Sequence, residues 1–217
     1  MSQSSLSAAC RFAVGVCLAA LVAHTWLVMG LIVPVTVAGS SMAPTLSGPH
    51  RVYRCDACHD AFSIELDQAS PEMVAICPRC GKLSAETVSG DLQGDRLLVD
   101  RTAFAFRAPR RWEVVVFRSP EDAGKLCVKR VVGLPGETVA LDGSDVLIDG
   151  RRVAGPGNFD YETRYGDNRE LRTGWRLGPG EYFVLGDNAE ISDDSRSWPT
   201  GPALDVKLLI GKPLGVR

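Results

Sequence analysis

The sequence predicts a mainly β protein with one N-terminal transmembrane helix and an inserted zinc-ribbon-like module. Three observations predict it. Residues 12–37 contain no Asp, Glu, Lys or Arg, which is length enough to cross a hydrocarbon core. Two Cys-x2-Cys pairs stand 18 residues apart. The C-terminal part alternates short apolar runs with turns rich in Gly, Pro and Asp. The net charge of -2 and pI near 5.9 lack the basic excess of a nucleic-acid binder, so no nucleic-acid partner is expected.

Residues 1–11 form a short N-terminal segment carrying Arg11, and residues 12–34 the expected span. Arg11 precedes the apolar run and no Lys or Arg follows until Arg51, so the positive-inside bias puts the N-terminus in the cytoplasm and the body of the chain outside. A cleaved secretory signal is the rival, but its apolar core is shorter, about 7 to 15 residues. The implied location is a cell membrane, crossed once, with membrane lipid as a partner. Val35, Thr36, Val37 and Ala38 leave the span as an extended segment whose edge can pair with a peptide by strand addition. Gly39-Ser40-Ser41-Met-Ala-Pro-Thr-Leu46 follows, and it sets the Ser41 hydroxyl just outside the membrane between a small flexible pair and a turn.

Residues 47–93 differ in texture. Cys55, Cys58, Cys77 and Cys80 match the spacing of a four-thiolate zinc ribbon, with structural zinc as the implied metal and Gly81 allowing the backbone to curl at the second pair. Two disulfides are the alternative in an oxidising exterior. His59 is expected in solvent, because four thiolates complete a tetrahedral site.

Residues 94–217 read as strands at 94–101, 114–117, 126–132 and 181–185, with tight turns at Asp142-Gly143 and Asp149-Gly150. Residues 151–175 read as a long surface excursion. Lys129 is conspicuous in its strand: alternation gives it Cys127 and Val131 as face-mates, while Arg130 shares the other face with Val128 and Val132. An amine buried there loses hydration of its charged form and becomes available as a general base; the alternative is a lysine at the strand end reaching into water. The polar loop Gly186–Trp198 cannot pack as core, so its groups must be solvated or tied together, with Asp194 and Arg196 as an ion pair and Ser192 within reach of an amine.

Four stretches in this order, Ser41–Leu46, Gly94–Arg101, Lys129–Gly136 and Gly186-Asp187-Asn188 through Ser195-Arg196, resemble the bacterial type I signal peptidases. The resemblance implies a signal-peptidase-like β catalytic domain, made of residues 35–46 and 94–217, on the extracytoplasmic side. It implies a membrane-anchored serine endopeptidase that removes N-terminal signal peptides from exported preproteins by acyl transfer, using a Ser/Lys dyad and no catalytic cofactor. Carried over by position, Ser41 is the nucleophile and Lys129 the general base. Arg130 supports the site electrostatics, Ser192 holds the lysine amine in line, and Asp187, Asp194 and Arg196 brace the loop. Where one branch of the family has a hydroxyl two residues before the nucleophile, this chain has Gly39, leaving backbone or Ser40 as the second oxyanion donor. Residues 47–93 stand where the family has only a few residues. Trp112-Glu113 replaces a common Gly-Asp and reads as variation without consequence for the dyad. Two other readings are a membrane-tethered zinc-ribbon adaptor with an inactive β domain, and another self-cleaving Ser/Lys protease.

Overall fold

A computed structural model describes residues 3–66, 75–83, 86–87, 90–142, 145–155, 173–189 and 191–216, with side chains described outside 3–10, 26–29 and 86–87. It is mainly β. Helix α1 (Gln3–Leu31) leads into β1 (Ile32–Thr36) without a connecting loop. The helix ends at Leu31, short of the expected residue 34. Pro34 explains the stop, because proline has no N–H for a helical bond and drives the residue before it to extended backbone. Among the described residues no helix is long and apolar enough to cross a membrane. α1 covers residues 12–31 of the expected span, and the side chains of 26–29 within it are not among those described.

The main sheet has seven strands. They are β1, β5 (Arg96–Asp100), β6 (Val114–Arg118), β7 (Leu126–Gly133), β12 (Glu181–Leu185), β13 (Leu204–Asp205) and β14 (Leu209–Pro213), in the spatial order β1-β5-β14-β6-β7-β12-β13. The segment at β1 forms one edge, antiparallel to β5 with Val35 opposite Leu97. A second sheet orders β10 (Arg151–Arg152), β9 (Asp145–Ile148), β8 (Thr138–Asp142) and β11 (Trp175–Arg176). The turn at Asp149-Gly150 closes one of its hairpins with φ of 50° and 75°, the left-handed pair that such two-residue turns require. Gly143 of the other expected turn and residues 156–172 of the expected excursion lie outside the described residues.

Strand β6 shows why the sheet curls around two apolar clusters. Val114 and Val116 point to one face, where they pack with Val37, Met42, Leu46, Leu97 and Val99. Val115 and Phe117 point to the other, against Val131, Tyr182, Val184, Trp198 and Leu204. A strand buried on both faces has no polar side to alternate with, which is why its sequence is a continuous apolar run.

Within residues 47–93, the expected insert, three described strands form a separate sheet, β3 (Ala61–Glu65), β2 (His50–Arg54) and β4 (Glu86–Thr87) in that order. Cys55 follows β2 directly. The two cysteine turns are built alike: the His59 amide donates to the Cys55 carbonyl at 2.8 Å, and the Gly81 amide to the Cys77 carbonyl at 2.9 Å. His59 and Gly81 occupy matching places with φ of 59° and 69°. The exposed His59 is therefore a turn residue.

Candidate active site

The Ser41 loop is held by three anchors that its sequence supplies. Met42 is fully buried and Leu46 nearly so, both in the cluster below β6. Burying such a side chain stabilises by about 1.5–3 kcal/mol. Thr45 Oγ1 donates to Asp187 Oδ2 at 2.6 Å, tying the loop to the far side of the site. The Asn188 amide donates to the Ser41 carbonyl at 3.1 Å. Ser41 itself stays half-buried at the mouth of a cleft.

Strand β7 brings Lys129 to that hydroxyl. Lys129 Nζ donates to Ser41 Oγ at 2.6 Å across 88 positions of sequence. The lysine is 4% exposed, which rules out the alternative of a side chain reaching into water. Burial pushes its pKa down from the ordinary lysine value; Asp194, Cys127 and Asp193 act against this, and Lys125 with it.

Next to Lys129 on the opposite face, Arg130 is buried with Asp187. Its Nε donates to Oδ1 at 2.8 Å and its Nη2 to Oδ2 at 2.6 Å, while Nη1 donates to the Trp112 carbonyl at 2.8 Å. Trp112-Glu113, expected to be without consequence for the dyad, meets the neighbouring Arg130 through a backbone carbonyl, a group that any residue offers. Trp112, at φ 69°, offers the carbonyl that holds the arginine beside the lysine. Glu113 binds Arg107 and Lys212.

The polar loop closes on Asp194. Its carboxylate accepts from Arg196 Nε at 2.8 Å and Nη2 at 2.8 Å, from the Gly186 amide at 2.9 Å and from Ser192 Oγ at 2.6 Å. The expected ion pair is present. Ser192, however, donates to Asp194, while the Lys129 amine bonds to Ser41, so Ser192 fixes its own loop through Asp194. A Cβ at Gly186 would run into Ser192 Oγ and the Ser41 carbonyl, so only glycine lets this loop approach the Ser41 loop so closely.

The cleft has a volume of about 580 Å³. Val35, Thr36, Val37, Ala38, Gly39 and Ser40 form one wall, and residues 125–129 another. The expected peptide-pairing segment and the Ser/Lys pair therefore share one cavity. Sequence reasoning missed Thr45 and Asn188 as positioning residues, although both lie inside stretches it had marked. It also missed Glu65 of the insert, which lines the cleft and for which the local sequence carries no signal.

The four ribbon sulfurs come together as expected, all within 4.8 Å of one another. Cys55 Sγ lies 3.6 Å from Cys80 Sγ, and Cys58 Sγ 3.6 Å from Cys77 Sγ. A tetrahedral four-thiolate zinc site, with Zn–S of about 2.3 Å, has edges of about 3.8 Å, so the donor set fits that metal. Backbone amides of Cys58 and Ala57 lower the Cys55 thiol to about 7, while Cys58, despite the Asp60 amide, is pushed up to about 12 by burial and the neighbouring thiols.

A hydroxyl in hydrogen-bond contact with a buried amine, on a mainly β scaffold and beside an open cleft, is the constellation of a serine hydrolase that uses lysine where others use histidine. Comparison with known proteins narrows the class. The family model described as signal peptidase, peptidase S26, matches residues 83–214, and the chain belongs to that family of serine endopeptidases. Signal peptidase I V of Bacillus subtilis is 31% identical over 132 residues, covering 54% of this chain and 72% of that protein. A probable signal peptidase I-1 of Synechocystis is 31% identical over 126 residues, covering 52% of this chain and 59% of that one. Signal peptidase I of Leptolyngbya laminosa is 33% identical over 120 residues, covering 52% and 56%. The chain thus spans little more than half the length of the latter two. A solved signal peptidase I from Enterococcus faecalis overlays with a TM-score of 0.38 at 28% identity, over 49% of this chain and 97% of that one. Membership of the family supports removal of signal peptides by a serine protease. Lys129 falls inside the matched residues; Ser41 and most of the insert fall outside them.

Proposed function

We propose that the protein cleaves signal peptides from exported preproteins, with Ser41 as nucleophile and Lys129 as general base. One observation carries this reading: the buried Lys129 amine lies 2.6 Å from the Ser41 hydroxyl, within the range for proton transfer. A preprotein enters the cleft extended, its backbone pairing with Val35 to Ala38 as an added strand. Lys129, held neutral by burial, takes the hydroxyl proton as Ser41 attacks the scissile carbonyl. The resulting ammonium gives that proton to the departing amine, and water then hydrolyses the acyl-enzyme with the same lysine as base. The Ser41 amide meets the oxyanion, and the backbone at Gly39 or the Ser40 hydroxyl is the second donor. Arg130, Asp187, Ser192, Asp194 and Arg196 are positioning residues, acting through the loops that hold the dyad.

The uncharged run over residues 12–37 supports a single membrane anchor, with the cleft on the extracytoplasmic face and lipid around the helix. β1 begins at Ile32, directly after α1, so Ser41 follows the helix end by only a short stretch of chain. The fitting sulfur geometry supports a structural zinc in the insert, with no part in the chemistry.

The test is cleavage of a preprotein by the detergent-solubilised protein, comparing wild type with Ser41→Ala and Lys129→Met. The reading expects a loss of at least about 10²-fold in each variant, the typical size of a general-base contribution. Cleavage at the wild-type rate by either variant would remove that residue from the dyad.

A further inference from the structure

The insert contributes a wall of the cleft. Glu65, the last residue of β3, lines the cleft, and so does Ser40 of the Ser41 loop. A smaller cavity of about 260 Å³ opens beside it, with Ser40, Glu65 and Ile191 lining both. That second cavity also touches Ala43, Ser47 and Asn188, residues beyond Ser41 as seen from the Val35–Ala38 wall. A peptide whose residues before the cut pair with Val35 to Ala38 must carry the residues after the cut past Ser41, toward this junction. Glu65 lies in the stretch between Leu46 and Gly94, outside the residues that the family model matches.

Resting on the reading of the site given above, we propose that Glu65 is a specificity-determining residue that selects preproteins with a basic side chain at the first or second position after the cut. The zinc-ribbon-like insert is thereby a substrate-reading element. Its β-sheet holds Glu65 in register opposite His50, on the strand that runs directly into Cys55. Glu65 is half-buried with its Oε1 out of water, and a carboxylate so placed attracts a substrate ammonium or guanidinium more strongly than one in open water and repels an acidic side chain at the same position.

The experiment measures kcat/KM of the detergent-solubilised full chain on preproteins that carry Arg, Ala or Glu at the first two positions after the cut. Wild type is expected to favour Arg over Ala by about fivefold and to disfavour Glu by a similar factor, the scale of a partly solvated ion pair. Glu65→Gln is expected to erase the order, and Glu65→Lys to reverse it. Thermal midpoint and bound zinc, both unchanged in the variants, show that the insert remains folded, and Asp193→Asn, at another carboxylate that lines the cleft, is expected to keep the order. Equal cleavage of all three substrates by wild type, or an order that survives in Glu65→Gln, overturns the proposal. An order erased by Asp193→Asn and kept by Glu65→Gln does so as well. A wild type that cuts none of the substrates instead overturns the peptidase reading on which the proposal rests.

Discussion

Asp187→Ala is the perturbation that asks most of the structure. The carboxylate accepts from Arg130 Nε at 2.8 Å, from Arg130 Nη2 at 2.6 Å and from Thr45 Oγ1 at 2.6 Å. Both charged side chains are out of water, at 1% and 0% exposure. Truncation therefore leaves a guanidinium in the interior without its countercharge, which costs about 3–5 kcal/mol, a large share of the roughly 5–15 kcal/mol that holds a typical domain folded. At this chain length each kcal/mol moves the thermal midpoint by about 2–4 °C, so the midpoint should fall by about 6–20 °C. Activity should suffer beyond the stability loss, because Thr45 is released and with it the loop that aims Ser41. A misplacement of about 1 Å can cost on the order of 10²-fold, and the drop should appear in kcat more than in KM. Thermal unfolding and steady-state cleavage, both run well below the variant's midpoint, check the two parts. A midpoint within about 2 °C of wild type together with unchanged kcat would refute the claim that this buried pair organises the site.

The remaining expectations follow from the same contacts. Gly186→Ala forces a methyl against Ser192 and the Ser41 carbonyl, so it should destabilise by about 1–3 kcal/mol and lower kcat, read by denaturant unfolding and cleavage rate. Burial pushes the Glu113 carboxyl up, but hydrogen bonds from Arg107, Lys212 and the Arg110 amide outweigh it and bring it to about 2 from an ordinary 4.5. Its folded pKa is depressed, so it contributes stability above pH 4.5 that is lost as pH falls toward about 2. That contribution is on the order of 3 kcal/mol, and Glu113→Gln should unfold with a correspondingly shallower acid limb. Elemental analysis should find about one zinc per chain, lost in Cys77→Ser, whereas a metal-free protein without free thiols would point to disulfides.

Much of the strand pattern was legible because each strand carries its own signal. The continuous apolar run at 114–117 announces a strand buried on both faces, and Asp149-Gly150 announces a tight turn that the structure shows with both residues left-handed. Lys129 stood out because a charge in an apolar strand must be either exposed or functional. Its distance to Ser41 was not legible, since it depends on how β5, β14, β6 and β7 stack between two stretches far apart in sequence. The resemblance supplied that pairing, and the geometry agrees with it. Ser192 shows the limit of reading a polar loop: a hydroxyl near an amine has several carboxylate rivals, and Asp194 takes it. Pro34 is a helix stop legible in the sequence, whereas an uncharged run by itself carries no mark of where the helix inside it ends. The approach of Glu65 to the cleft had no local sign, because it follows from where the insert's sheet docks.

In the proposed mechanism a neutral Lys129 is the base, and the pH dependence of kcat/KM for preprotein cleavage tests this most directly. The neutral amine fraction grows as pH rises through the Lys129 pKa, which burial has lowered. Activity should therefore climb along a single acid-side limb with its midpoint below the ordinary lysine value of about 10.4, and any residual activity of Lys129→Met should lack that limb. A limb that stays in Lys129→Met, or one centred on the value of a solvated lysine, would contradict the account.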